Sequence, residues 1–340
     1  MTTRKTIVDY GDGAMPEWVR EVIETSLAIE AEDARTSGNL GFMTRALVSA
    51  TMPYKDPKSK AFERRNGNLT LSMLSPHGVP YGRYPRLLVS WIVTEAVRTK
   101  SPVLVLGDSL AKFLRESVGV RATGGSEGSQ TRLTEQMKRL FTSFVTVERQ
   151  AADAGAGFVL DSVLLVQRAR LSDADARRLD RLDAIDAAPN GGMASRAKLW
   201  EQKAEGREIR WNSELELTAE FFKECTQSPV PLDMRAYRIL SPAPMAMDIY
   251  AWLTYRASYI KQPTRPVPWS ALQAQFGSGH AFTDQGLRDF RKAFKRNLDV
   301  VREVYRDLRV DETSEASGLI LLPMKPHVQR PNAPKQTDLF

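Results

Sequence analysis

The stretch Phe282-Thr-Asp-Gln-Gly-Leu-Arg-Asp-Phe-Arg-Lys-Ala-Phe-Lys-Arg-Asn-Leu298, continued to Val301 and Tyr305, carries two incompatible faces on one helical period. Leu287, Phe290, Phe294, Leu298, Val301 and Tyr305 recur every three or four residues, which gathers them into one apolar stripe that must be buried. Rotation by roughly 100° per residue sets Arg288, Lys292, Lys295 and Arg302 on the flank beside that stripe, with Arg296 further round and Arg291 at its edge. Thr283 stands where a hydroxyl can cap the first turn, so the free N–H groups at that end add to the positive potential. One side of the helix packs and the other offers cations.

Around this helix the chain reads as a unit. Pro244 to Ala257 and Pro268 to Phe276 are helical in pattern, and Val310 to Pro323 is polar at Asp311 to Gly318 and apolar at Leu319 to Leu322, as a hairpin requires. The same order occurs earlier. A helix from Pro85, with Leu87, Leu88, Trp91, Ile92 and Ala96 at helical spacing, stops at Lys100-Ser-Pro102; a short capped helix follows at Asp108 to Glu116. A third helix, Gln130 to Phe144, is expected to bury Leu133, Met137, Leu140 and Phe144 and to turn Arg132 and Arg139 outward. Strands are expected at 145–148 and 158–167. Trp91-Ile-Val-Thr-Glu-Ala aligns with Trp252-Leu-Thr-Tyr-Arg-Ala, Leu133 and Leu140 with Leu287 and Phe294, and Lys138 with Lys292.

Three helices followed by a hairpin is the order of a winged helix, whose third helix is presented to a groove. The expected fold is therefore α+β, mainly helical, with two tandem winged-helix domains and small antiparallel wings. Residues 1–66 read as an acidic helix near Met15 to Glu24 and an extended basic linker at Tyr54 to Arg65. Residues 67–228 form the first winged domain, opened by Leu69 to Leu74 and interrupted by a charged insertion near 172–207; Glu208 to Thr218 reads as a strand completing the first sheet. Residues 229–325 form the second winged domain, and 326–340 a polar, proline-containing, flexible tail.

At 340 residues, 42% apolar and 26% charged, the chain has the composition of a globular protein with a real core. Its formal charge of +7 favours a polyanionic partner. The balance is uneven: between Asp9 and Asp33 stand eight acids and one base, a net of −7, which leaves +14 for the rest. A single cysteine, Cys225, excludes an intramolecular disulfide framework, and three scattered histidines give no metal motif. No run of about 18 apolar residues and no signal-type leader is present, so a cytoplasmic protein without a membrane anchor is expected.

Two groove-reading helices on one chain would span one long, directly repeated duplex site, since successive major grooves lie about 34 Å apart along one face. Arg288, Lys292 and Lys295, with Arg132, Lys138 and Arg139 as counterparts and Arg296 beside them, are expected to contact phosphates; Gln130 and Arg291 are expected to read base edges. Thr123-Gly-Gly-Ser-Glu-Gly-Ser129 resembles a phosphate loop only superficially, because no Gly-Lys-Ser/Thr follows. No catalytic constellation, metal site or cofactor site is recognised, and the expectation is a binding protein rather than an enzyme.

Tyr81-Gly-Arg-Tyr-Pro-Arg-Leu-Leu-Val-Ser-Trp-Ile-Val-Thr-Glu-Ala-Val-Arg-Thr-Lys-Ser-Pro102, Leu106-Gly-Asp-Ser-Leu110, Thr131 to Phe141, Pro229-Val-Pro-Leu-Asp233 and Ile249 to Arg256 resemble the plasmid-encoded RepA replication initiators. The resemblance implies a protein that binds repeated origin sites, or iterons, helps to open the duplex and recruits the host replicative helicase or its loader without hydrolysing ATP. It also implies a homodimer formed through the first winged domain. The terminal Gln336-Thr-Asp-Leu-Phe340 is similar to the peptides that dock bacterial replication proteins onto the sliding clamp, with Gln336, Leu339 and Phe340 as the contacts. The alternative is a winged-helix transcriptional repressor, which would use the same helices on an operator and would need no such tail.

Overall fold

Leu71 and Met73 alternate with Thr70, Ser72 and Leu74, and that period of two places the first pair inside and Leu74 outside a central strand. The structure, a computed structural model, describes residues 17–67, 69–107, 110–121, 123, 128–150, 158–170, 213–227, 229–312 and 318–328. The charged insertion near 172–207 and the terminal Gln336, Leu339 and Phe340 lie outside the described residues. In chain order the elements are α1 (Glu17–Ala31), β1 (Leu40–Met43), α2 (Arg45–Ser49), β2 (Ala61–Asn66), β3 (Leu69–Leu74), α3 (Arg83–Thr99), β4 (Val103–Gly107) and α4 (Leu110–Phe113), which runs into a π-turn at Leu114–Val118. Then follow α5 (Ser129–Phe141), β5 (Phe144–Gln150), β6 (Phe158–Leu164), β7 (Val166–Arg170), β8 (Ser213–Leu217), α6 (Ala219–Gln227), β9 (Val230–Asp233), α7 (Met234–Ile239), α8 (Pro244–Ala257), α9 (Trp269–Phe276), α10 (Asp284–Val304), β10 (Val310–Asp311) and β11 (Ile320–Leu321). The fold is α+β, with small antiparallel sheets.

The chain divides into two units that do not follow chain order. The central unit takes Phe42–Pro229 and Ala271–Gly279; the other, here the terminal unit, takes residues up to Gly41, Val230–Ser270 and His280 onward. In the central unit β2-β3-β5-β6 form an antiparallel sheet, with Leu74 opposite Phe144. The end of the stretch read as a linker is thus the strand β2, paired to β3 from Ala61↔Leu74 to Asn66↔Leu69. β8 does not complete that sheet: it lies between β4 and β7 in a three-stranded sheet of its own. β4 was invisible to the helix-and-breaker pattern because only Leu104 and Leu106 of its five residues face inward.

Helix α3 fills the middle of this unit, with Leu88, Val89, Ile92 and Val93 fully buried and the Trp91 ring edge-on to Phe113 at 4.8 Å. Arg86 is buried within it, its guanidinium donating to the carbonyls of Met52 (2.6 Å), Gly82 (2.7 Å) and Pro53 (3.1 Å). Three backbone dipoles thus replace the lost hydration of the charge.

The terminal unit is built around α8 and α10, which pack on each other, and α1 packs on α7 and α10. Helix α1 is therefore not a solvated appendage: Ser26 Oγ donates to the Glu303 carbonyl at 2.7 Å, and Glu30 pairs with Arg306 at 2.6 Å. Arg235 closes its far end by donating to the Ala28 and Glu32 carbonyls at 2.9 and 2.7 Å, while Asp233 holds the same guanidinium. β10 and β11 pair antiparallel through Val310↔Leu321 and Asp311↔Ile320, as the hairpin pattern predicts. On its other side this ribbon meets the chain at Val267↔Leu319. Gly318 allows that approach: at φ +140° its backbone is hostile to side chains, and a Cβ would stand 2.0 Å from the Val267 carbonyl oxygen.

Candidate nucleic-acid interface

Thr283 caps α10 as its position predicts, its Oγ1 accepting from the Gly286 N–H at 3.1 Å. Phe290, Phe294, Leu298, Val301 and Tyr305 are all fully buried, so the stripe that defines the helix is its packed side. On the flank, Arg288, Lys292 and Arg296 are exposed, one turn apart along one line. Asp289 and Asp299 are the acids among them on the helix itself; Gln285 donates to the former at 3.0 Å, and Arg302 pairs with the latter at 2.6 Å.

Nearer the packed side the cations are held. Arg291 and Lys295 both lie over the Trp269 ring, at 5.2 and 5.9 Å, and that ring is wedged edge-on against Phe294 at 5.8 Å. Lys295 also approaches Glu312 at 3.9 Å, and Arg302 reaches the same carboxylate at 2.8 Å. Glu312, just past β10, thus ties this flank to the hairpin and offsets part of its charge. The acidic α1 meets α10 at the Glu303 carbonyl and, just past the helix, at Arg306, at least a turn beyond Arg296.

In the central unit α5 buries Leu133, Met137 and Leu140, whereas Phe144 is outside the helix: it opens β5 and is 42% exposed. Arg132 is exposed and Gln130 and Lys138 half-buried. Arg139 is placed differently. Its side chain is 14% exposed, paired with Glu135 at 2.8 Å and Asp56 at 3.3 Å, bonded to the Val79 carbonyl at 3.3 Å and laid over the Tyr81 ring at 5.1 Å. Gln136 completes the arrangement by accepting from the Tyr81 N–H at 2.8 Å. Burial, with Glu135 and Asp56 close by, pushes the Tyr81 phenol up from its ordinary value. Here the outward face inferred from periodicity is partly roofed by residues 56 and 79–81.

The glycine-rich loop before α5 is tied at its ends: Thr123 Oγ1 accepts from the Ser129 N–H at 2.8 Å, and Ser129 Oγ accepts from the Thr123 N–H at 2.8 Å. Such reciprocal bonds close a loop onto a helix start. Among the described residues no group of His, Cys, Asp and Glu could hold a metal ion, and no helix is long and apolar enough to cross a membrane. Cys225 is buried, which pushes its thiol far above the usual range. Trp269 and Glu312 escaped sequence reasoning, because Trp269 is far in sequence from Arg291 and Lys295, and Glu312 lies beyond the end of α10.

No curated protein matches the chain. Among solved structures it resembles domains 2 and 3 of RctB, at 11% identity and a TM-score of 0.41, over 79% of this chain and 89% of that one. A family profile described as plasmid-encoded RepA protein matches residues 79–189 and 190–268, more than half of the chain. It covers α3, α5 and α8, the elements whose residues carry the resemblance seen in the sequence. The chain therefore belongs to the family of plasmid-encoded RepA proteins.

Proposed function

We propose that this protein is a plasmid replication initiator that binds repeated double-stranded sites, iterons, at an origin, promotes opening of the duplex and recruits the host replicative helicase or its loader. The observation that carries this reading is the divided surface of α10, whose apolar side is buried from Phe290 to Tyr305, with Leu287 half-buried, while Arg288, Lys292 and Arg296 stand exposed in line. Family membership supports it. In this reading α3, α4 and α5 with β5 and β6 form one winged helix, and α8 and α10 with β10 and β11 belong to a second. The third helix of each lies in a major groove.

Arg288, Lys292 and Arg296 bind phosphates, and Lys295, steadied by Trp269, joins them. Arg291, held flat on the same ring, is positioned to offer its guanidinium edge to a base. In the other domain Gln130, Arg132 and Lys138 meet the duplex, while Arg139 shapes the surface from beneath. The chain works by binding and deforming DNA, with no chemistry of its own, and the tail from Gln336 to Phe340 docks on the sliding clamp.

Selection of bound duplexes from a random library tests this. A long, directly repeated site is expected; a single isolated palindrome with no strand opening would identify a transcriptional repressor instead, and divalent-metal-dependent nicking would identify an enzyme. Reversing Arg288, Lys292 and Arg296 together to glutamate should abolish binding to the selected site, and unchanged affinity in moderate salt would refute the assignment of α10.

A further inference from the structure

Phe282 is the most exposed large apolar side chain among the described residues, 75% open to solvent. An apolar residue just before an N-cap ordinarily packs on the residue at the fourth helical position, here Leu287. At that exposure the staple is open. The ring is nonetheless held in place by its backbone. The Thr283 N–H donates to the Ala281 carbonyl at 2.9 Å, making a tight three-residue turn with Phe282 at its apex. The Ala281 carbonyl in turn lies against Gly286, where a Cβ would stand 2.0 Å from its oxygen. The His280 ring packs edge-on to Phe290 at 5.8 Å, fixing the other side of the turn.

The surroundings of Phe282 are polar and cationic. Arg288 donates through Nη2 and Nε to Gln285 Oε1 at 2.9 and 3.2 Å, and both side chains are exposed; Thr283 and Asp284 are exposed too. A single ring in such a setting is far too small for a stable protein interface, which needs about 800 Å² from each partner. It matches a partner that is anionic overall and presents isolated apolar groups. Duplex DNA is such a partner, and its major groove carries one: the 5-methyl group of thymine.

We propose that Phe282 contacts a thymine methyl at the leading end of α10 and discriminates sequence there, with Gln285 and Arg288 addressing the adjoining base edges or phosphates. This role rests on the DNA-binding reading above. It adds an apolar base contact to a surface otherwise made of cations and amides.

The test replaces each thymidine of the selected duplex in turn with deoxyuridine, which removes only the methyl group. For the wild-type protein one position should lose about fourfold in affinity, the worth of one buried methyl group. In Phe282→Ala that loss should vanish, while the parent duplex binds about as weakly as the substituted one binds the wild type. Phe282→Leu, which keeps an apolar contact, should retain part of the thymine preference. Arg288→Ala should weaken every duplex without abolishing that position's response.

A wild-type protein indifferent to every substitution, or a Phe282→Ala protein with the wild-type pattern, would overturn the proposal and leave the initiator reading standing. Failure to recover any duplex in the selection would remove both.

Discussion

At the scale of a residue, His327 carries a titratable ring into the interior of the terminal unit. Its Nδ1 lies 2.7 Å from the Tyr250 hydroxyl, which also accepts from the Asp233 N–H at 3.0 Å; the ring stacks on Tyr305 at 4.6 Å and meets Tyr250 edge-on at 5.4 Å. Tyr305 Oη donates to the Lys325 carbonyl at 2.6 Å, and Val328 is buried, so the chain stays packed past Pro326, where composition alone suggested a flexible tail. Burial pushes the His327 pKa below its ordinary 6.5; Asp233 and, less strongly, Asp307 and Asp33 oppose the shift, and Arg235 adds to it. The unfolded chain therefore takes up a proton more readily than the folded one. This contribution to stability is full above about pH 6.5 and is lost as pH falls below it, at up to about 1.4 kcal/mol per pH unit. Urea unfolding at pH 7.5 and 5.5 should show a smaller loss for His327→Asn than for the wild type. Equal losses would mean that the ring is not held neutral.

Elements, rather than residues, decide which cations remain available. On α10 the buried stripe orients the helix, and the exposed line of Arg288, Lys292 and Arg296 follows from that orientation. Replacing each of these with alanine should lower the log–log salt slope of duplex binding by about 0.9 per lost phosphate contact. Fluorescence anisotropy titrations between low and moderate salt measure it, and folded stability should barely change. On α5 the same reasoning fails at Arg139, which Asp56, Glu135 and the Val79 carbonyl enclose. Arg139→Ala should cost about 1 kcal/mol of folding stability by leaving the carbonyl of buried Val79 unsatisfied, the half-exposed Asp56 and Glu135 being screened by water, with the salt slope nearly unchanged. A lowered slope with intact stability would place Arg139 on the DNA instead.

For the molecule as a whole, the proposed division of labour is between the folded units, which hold DNA, and the terminal peptide, which would hold the clamp. Deleting residues 336–340 should abolish retention on immobilised sliding clamp and leave binding to the selected duplex at its wild-type affinity. Retention that survives the deletion would end the clamp assignment. The charge asymmetry has a place in this arrangement. Ser26 of α1 meets α10 at the Glu303 carbonyl and Glu30 pairs with Arg306 just past that helix, so α1 places an acid at the end remote from Arg288.

Sequence by itself determined α10 and its register: a stripe every three or four residues and the Thr283 cap are local patterns, complete within a few turns of chain, and local geometry is what a helix repeats. It equally determined the hairpin at β10 and β11 and the strand β5, whose β-branched and apolar runs are local; the run 158–167, read as one strand, breaks at Leu165 into β6 and the start of β7, which belongs to the other sheet. Only the tertiary structure decided which basic residues stay open. Asp56 reaches Arg139 across 83 residues of chain, and β8 is separated from its partner β4 by more than a hundred, so neither pairing leaves a periodic trace. Phe282 makes the same point from the opposite side. Its apolar character alone does not say whether it packs, and only the tertiary structure shows it 75% open to solvent, beside the Ala281 carbonyl that lies against Gly286.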